Sequence, residues 1–189
     1  MKQAKSRRKF LKDSAVAGVG LTILPSTAIF AKSSAEKVRL GFIGVGFRGQ
    51  NHLDLALRRD DVEVVAINDI QKSMMDMALK QIEKFNKPKP QVILEGPYGY
   101  RKLLENKDID AVIISTPWEW HTVMCLDAMN AGKYVGCEVI TGMTVEECWE
   151  LVHTSERTGM PLMMLENVCY RRDVMAVMNM VRQGLFGEL

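Results

Sequence analysis

The feature that most constrains the fold is a glycine-rich turn directly after a short run of apolar and β-branched residues. Residues 38–43 have the composition of a buried strand, and residues 44–49 then read G-x-G-x-x-G before a helical period begins. Gly44 permits a tight turn, Gly46 lets an anion approach the main chain, and Gly49 lets the following helix pack closely on the strand. This order of strand, turn and helix predicts a phosphate-binding unit at a helix N-terminus.

The rest of the chain alternates short apolar runs with helical periods, which is typical of a parallel sheet covered by helices on both faces. The pattern predicts six strands, at residues 38–43, 62–67, 91–94, 111–115, 134–139 and 161–165. It also predicts helices, at residues 47–59, 71–86, 100–104, 121–131, 144–159 and 173–183. The predicted fold class is α/β, a Rossmann-type doubly wound parallel sheet in a domain spanning residues 36–168.

The i, i+3, i+4 spacing within two of these helices predicts which of their side chains are buried. In the helix at 71–86 the predicted core stripe comprises Met74, Met77, Ala78, Ile82 and Phe85. In the last helix it comprises Val174, Val177, Met178 and Val181. The helix after strand five opens on a predicted capping box of Thr144 and Glu147 and ends near Gly159.

A carboxylate makes the glycine motif more specific. Asp69 follows the second predicted strand, 20 residues beyond Gly49, where an acid would accept hydrogen bonds from the hydroxyls of an adenosine ribose. Taken alone, Asp69 is better explained as an ordinary turn residue following Asn68. A carboxylate there repels the 2′-phosphate of NADP, and no arginine follows it directly, so the two motifs together predict NAD as the cofactor.

Charge is unevenly distributed along the chain. Residues 1–35 carry a formal net charge of +6, so the formal +2 of the whole chain leaves −4 for the remainder, which gives no basis for nucleic-acid binding. Residues 1–35 combine a basic stretch, an apolar run too short to span a bilayer comfortably, and small residues suited to cleavage. The segment S-R-R-K-F-L-K at residues 6–12 resembles a twin-arginine signal, which predicts periplasmic or extracellular export through the twin-arginine machinery.

Cysteine and histidine spacings predict no metal site. The four cysteines lie in apolar segments without C-x-x-C spacing, which favours buried free thiols at Cys125, Cys137, Cys148 and Cys169. The three histidines are too scattered to predict metal ligation: His52, His121 and His153.

Polar and aromatic residues follow three predicted strands at one edge of the sheet, where open α/β sheets bind ligands. Strand four is followed by T-P-W-E-W-H at 116–121, strand five ends on Glu138 and Val139, and strand six is followed by Glu166 and Asn167. The aromatic residues could instead cover a loop, and the histidine could begin a helix. With the glycine motif present, a ligand site is the favoured interpretation of 116–121, whereas both interpretations remain open for Glu138 and Asn167.

Together these motifs resemble the Gfo/Idh/MocA family, whose members pair an NAD(P)-binding Rossmann domain with an α/β domain that holds a sugar or polyol. Residues 41–53, 115–121, 131–138 and 165–189 are most similar to its glycoside hydrolase family 109 branch. The resemblance implies NAD contacts from Phe47, Arg48, Asp69, Trp118, Glu119, Trp120, His121, Glu138, Val139 and Asn167. It also implies that residues 169–189 begin a second, substrate-binding domain. Either sugar contacts or loop residues paired with acidic neighbours are then expected at Tyr170, Arg171 and Arg172.

The activity implied by the resemblance is that of an α-N-acetylgalactosaminidase. Such an enzyme oxidises the sugar transiently at C3, eliminates the anomeric substituent, adds water and reduces the sugar again, so that NAD is regenerated in each cycle. Dehydrogenases of the wider family usually have Glu-Lys-Pro after strand five, whereas this chain has Glu138-Val139-Ile140, which weighs against a simple sugar dehydrogenase. An oxidoreductase that releases NADH and an inactive NAD-binding fragment remain alternatives. Catalytic residues are expected beyond Leu189, and a homo-oligomer is left open.

Overall fold

The structure, a computed structural model, describes residues 37–188. The predicted export leader at residues 1–35 lies outside the described residues and stays a prediction. No helix within residues 37–188 combines the length and apolar character needed to cross a membrane.

Six strands and six α-helices make up this part of the chain. The strands are β1 (Val38–Ile43), β2 (Val62–Asn68), β3 (Gln91–Ile93), β4 (Ala111–Ile114), β5 (Tyr134–Cys137) and β6 (Leu162–Met164). The helices are α1 (Phe47–Leu57), α2 (Lys72–Lys84), α3 (Tyr100–Leu104), α4 (Trp118–Asn130), α5 (Val145–Thr158) and α6 (Arg172–Arg182). A 3₁₀ turn (Val168–Tyr170) precedes α6.

All strand pairs are parallel, and the sheet order is β3-β2-β1-β4-β5-β6. The order reverses between β1 and β4, and the crevice at such a reversal is where open α/β sheets bind ligands. The Rossmann-type fold predicted from the sequence is confirmed.

Helices cover both faces of the sheet, and successive residues of β1 point into the two resulting cores. Phe42 packs with α1 and α2, whereas Ile43 packs with α3 and α4, and both side chains are fully buried. Such short strands read as continuous apolar runs because both of their faces are buried.

The predicted core stripe of α2 is wrong in one position. Met77 is 46% exposed, whereas Met75, which the prediction omitted, is 2% exposed. Ala78 and Ile82 are buried as predicted. The buried positions 75, 78 and 82 follow i, i+3 and i+7, so the buried face is rotated away from Met77.

Two other predictions also require correction. Cys125 and Cys137 are buried free thiols as predicted, but Cys148 and Cys169 are exposed free thiols. Helix α4 begins at Trp118 rather than at residue 121, directly after Pro117, whose backbone is extended. A proline is readily accommodated at a helix start because the first amides have no intrahelical partner. Trp118 and Trp120, which the prediction placed before this helix, therefore lie in its first turn.

Candidate functional site

The glycine turn joins β1 to α1 at the reversal of strand order, and its three glycines are required for different reasons. Gly44 has a φ of 83°, and a Cβ there would lie 2.8 Å from the carbonyl oxygen of Ser115. A Cβ on Gly49 would overlap the carbonyl oxygen of Gly44. A Cβ on Gly46 would meet no atom within 4 Å. The fold therefore requires Gly44 and Gly49, whereas the space beside Gly46 is open to a ligand.

Asp69 stabilises this turn as well as facing the cleft. Its Oδ2 accepts a hydrogen bond from the Val45 amide at 2.8 Å, and its Oδ1 accepts one from the Gln71 amide at 2.8 Å. Gln50 also stabilises the turn, because its side-chain amide donates a hydrogen bond to the Val45 carbonyl at 2.8 Å. Each carboxylate oxygen can accept more than one hydrogen bond, so Asp69 keeps capacity for ribose hydroxyls.

A cleft of about 350 Å³ lies over this turn, at the carboxyl edge of β1, β2 and β4. Its lining residues are Gly44, Gly46, Asn68, Asp69, Ile70, Gln71, Met74, Pro97, Ser115, Thr116, Pro117, Trp120 and Met124. The open space beside Gly46, the start of α1 and the Asp69 carboxylate fit a pyrophosphate and its neighbouring ribose. The residues present therefore fit a dinucleotide, with Ile70, Met74 and Pro97 supplying apolar wall on the Asp69 side.

The predicted aromatic residues take different positions around the cleft. Trp120 lines it and packs edge-to-face on Tyr98, with ring centroids 5.4 Å apart. Phe47 and Trp118 are the first residues of α1 and α4, and they are 79% and 59% exposed. Glu119 is exposed in the first turn of α4. Of these four side chains, only Trp120 lines the cleft.

Glu138 follows β5 and is bound by two residues of α1. Its Oε1 accepts a hydrogen bond from Arg48 Nε at 2.6 Å and lies 2.5 Å from His52 Nε2. Burial alone would raise the pKa of Glu138, but the hydrogen bonds from His52 and Arg48 outweigh it and lower the pKa. Glu138 is therefore a fixed carboxylate at neutral pH that ties α1 to the end of β5, and Val139 follows it, half-buried.

His121 is the predicted site residue whose side chain is most deeply buried. Its ring is fully buried, with Nδ1 2.7 Å from the Ile140 carbonyl oxygen and Nε2 2.8 Å from the Thr116 carbonyl oxygen. The imidazole therefore joins the segment after β4 to the segment after β5 instead of facing the cleft.

The predicted residues after β6 lie at the surface. Asn167 is exposed at the start of the 3₁₀ turn, and Tyr170 is 69% exposed. Arg171 pairs with Asp173 at 2.7 Å, and Arg172 is exposed at the start of α6. Within residues 37–188 these side chains do not line the cleft.

Thr116 lies in the predicted segment 116–121 and lines the cleft, but the neighbouring cleft residues Asn68 and Ser115 were absent from the prediction of ligand contacts. Both lie where β2 or β4 ends, so their position after a buried strand was an available signal. Ile70, Gln71, Met74 and Pro97 carry no such signal, because helix and loop packing alone brings them to the cleft.

A comparison with protein families agrees with this geometry. The Gfo/Idh/MocA family, described as an oxidoreductase family with an NAD-binding Rossmann fold, matches residues 38–166. The match spans all six strands and the glycine turn. The chain belongs to this family. NAD is accordingly the cofactor of the domain, as the glycine turn and Asp69 predicted.

Curated relatives in the family cover nearly all of this chain. It is 48% identical to a "Glycosyl hydrolase family 109 protein" of Stenotrophomonas maltophilia, over 98% of this chain and 41% of the relative. It is also 48% identical to an "Alpha-N-acetylgalactosaminidase" of Tannerella forsythia, over 97% of this chain and 43% of the relative. The chain thus spans less than half the length of these two proteins.

Among solved structures, the fold resembles that of other NAD-binding proteins. A scyllo-inositol dehydrogenase from Lactobacillus casei, solved with NAD(H) and scyllo-inositol, superposes with a TM-score of 0.69 at 19% identity, covering 81% of this chain and 43% of that one. An NAD-binding protein from Listeria innocua superposes with a TM-score of 0.68 at 27% identity, covering 81% of this chain and 42% of that one.

Proposed function

We propose that this chain is the NAD-binding part of a glycosidase that acts on α-N-acetylgalactosaminides. The observation that carries the proposal is the 48% identity to a relative named alpha-N-acetylgalactosaminidase, over 97% of this chain. The Asp69-lined cleft supports the cofactor requirement. The sugar and the aglycone would be bound mainly by residues outside this chain.

When bound, NAD supplies a reversible hydride acceptor, so that elimination and water addition at the sugar need no net oxidant. The chain's own contribution is to bind and orient. The glycine turn presents the first amides of α1 to the pyrophosphate, and Asp69 holds the turn through the Val45 amide. The Arg48–Glu138–His52 cluster fixes the carboxyl end of β5 beside the strand that ends at the cleft.

We further propose that five of the NAD contacts implied by the resemblance divide into two groups. Trp120 and Asp69 contact the cofactor through side chains that face the cleft. Three exposed residues in the first turns of α1 and α4 contact it through the main chain or after side-chain reorientation: Phe47, Trp118 and Glu119. No lysine directly follows Glu138, which supports proton transfer by a residue elsewhere in the protein.

Export through the twin-arginine pathway is part of the proposal. Residues 6–12 support it, because a folded protein with its cofactor already bound is the cargo that this pathway accepts. A redox-neutral cycle also needs no cofactor resupply after export. Replacing Arg7 and Arg8 together by Lys in a leader–reporter fusion should retain the reporter inside the cell, and unchanged export would remove this part of the proposal.

The activity is tested with the longest protein encoded by the reading frame that contains this chain. Incubated with an aryl α-N-acetylgalactosaminide, it should release the aglycone catalytically while NADH absorbance stays flat. Steady NADH accumulation without aglycone release would instead establish an oxidoreductase, the alternative that the family description favours. Neither product, from a protein shown to bind NAD, would favour a binding role.

A further inference from the structure

The buried His121 ring, which the proposed chemistry does not use, lies between two carbonyl oxygens. The Ile140 carbonyl is 2.7 Å from Nδ1 and the Thr116 carbonyl is 2.8 Å from Nε2. The side chain is fully buried, so water does not reach either nitrogen.

Both partners of this ring are acceptors, and that constrains its charge. A neutral imidazole carries one N–H and one lone pair, so it can donate to only one of the two carbonyls. The other nitrogen would then face a carbonyl oxygen, lone pair against lone pair, at hydrogen-bond distance. Two donated hydrogen bonds require an imidazolium, in which both nitrogens carry hydrogen.

A buried imidazolium needs a nearby negative charge, and Cys137, the last residue of β5, can supply one as a thiolate. A hydrogen bond from the Cys125 side chain lowers the pKa of Cys137 to about 6. Burial opposes this shift, and the His121 ring adds to it. Burial by itself lowers the pKa of His121, but the Cys137 side chain and the carbonyls of Ile140 and Thr116 outweigh it and raise the pKa to about 9. Within residues 37–188, the titratable groups facing the ring are Cys137 from β5 and, behind it, Cys125 of α4.

One of the two segments that His121 joins lines the cofactor cleft, and the other carries Glu138 and Val139, for which the family resemblance implies NAD contacts. Thr116 lines the cleft, and Ile140 follows Glu138 and Val139 in the segment after β5. The next residue of α4 adds a parallel tie, since Thr122 Oγ1 donates to the Thr141 carbonyl at 3.1 Å. The first turn of α4 therefore sets the separation of the two segments.

We propose that His121 is a positioning residue for the NAD site, held as an imidazolium that donates to the carbonyls of both Thr116 and Ile140 and so fixes the segments after β4 and β5 against each other. The proposal concerns cofactor binding and does not depend on the glycosidase activity. His121 acts through the cleft wall and not by touching the cofactor.

NAD affinity measured by calorimetry on the full chain between pH 7 and pH 10 tests this role. Wild-type affinity should hold at neutral pH and fall about tenfold as the ring loses its proton near pH 9, because one charge-assisted bond is lost. In His121→Gln both N–H donors lie on one nitrogen and cannot span the two carbonyls, so this variant should bind NAD about tenfold more weakly at pH 7 and lose the wild-type fall near pH 9. The matched control His153→Gln, on the exposed part of α5, should keep the wild-type affinity and profile.

The ring itself is measured by nitrogen-15 NMR on wild-type protein, which keeps the proposal testable if His121→Gln does not fold. Two protonated ring nitrogens at pH 7 are expected, and Cys137→Ala should move the ring titration to lower pH. A ring with one bare nitrogen at pH 7 would overturn the proposal. An NAD affinity in folded His121→Gln equal to wild type, with the same pH profile, would overturn it as well.

Discussion

At the residue scale, the site depends on the missing Cβ atoms of three glycines as well as on the side chains that line the cleft. Gly46 leaves open space where a ligand can approach, whereas Gly44 and Gly49 avoid contacts with main-chain oxygens. Asp69 accepts hydrogen bonds from the Val45 and Gln71 amides and also lines the cleft, so one carboxylate stabilises the turn and faces the proposed ribose position. The motif identified these residues, but only the structure separates their contributions to folding from their contributions to binding.

Gly46→Ala should leave folding intact and weaken NAD binding by about tenfold or more, because the added methyl enters the space left for the pyrophosphate. Gly49→Ala should instead destabilise the fold by more than about 2 kcal/mol, because its methyl would overlap the Gly44 carbonyl. Thermal unfolding and calorimetry with NAD measure the two effects. Equal loss of stability in both variants would contradict this assignment.

Asp69→Ala should weaken NAD binding and reduce the preference for NAD over NADP, because the negative charge beside the 2′-position is removed. Some loss of stability should accompany it, since the Val45 amide loses its acceptor. Asp76→Ala removes a half-buried aspartate that pairs with Lys72 on α2; this variant is the matched control and should bind both cofactors as wild type does. Unchanged affinities in Asp69→Ala would exclude Asp69 from the site.

At the element scale, helix starts determine what reaches the cleft. Helix α4 begins at Trp118, so its first turn both lines the cleft, through Trp120, and enters the core, through His121. Helix α5 begins with the predicted capping box: the Glu147 amide donates to Thr144 Oγ1 at 3.1 Å, and the Glu147 carboxylate accepts from the Thr144 amide at 3.0 Å. It ends at Thr158, close to the predicted end, and the following Gly159 takes the left-handed conformation.

Thr144→Ala should lower the free energy of unfolding by about 1 kcal/mol, because the Glu147 amide loses its acceptor at the start of α5. NAD affinity should not change, since Thr144 lies outside the cleft. Glu147→Ala removes the reciprocal bond, and the double variant should cost less than the sum of the two single changes. Strict additivity in chemical denaturation would indicate that the box does not act as one unit.

At the scale of the whole molecule, apolar residues at helical spacing are not always core. The predicted stripe of α6 is 36–51% exposed across Val174, Val177, Met178 and Val181. On β6, Met163 and Met164 are 45% and 50% exposed. Periodicity predicted the apolar face correctly, but its burial depends on contacts that residues 37–188 do not supply.

Val177→Ala and Val112→Ala form a matched pair that measures this difference. Val112 is fully buried in β4, so its truncation should cost about 2 kcal/mol of unfolding free energy. Val177 is 51% exposed, so the same truncation should change stability by no more than about 0.5 kcal/mol. A cost for Val177→Ala close to that of Val112→Ala would show that the α6 face is covered in solution.

By itself, the sequence determined the α/β class, the glycine turn, Asp69 and the capping box of α5, because each depends on backbone conformation or on short-range spacing that local residue types encode. Tertiary structure alone decided that Met75 is buried and not Met77, that Glu138 is held by Arg48 and His52, and that His121 lies beneath the cleft between Thr116 and Ile140. Each of these depends on how elements far apart in the chain pack, and a one-dimensional pattern does not record the rotation of a helix or the direction of a side chain.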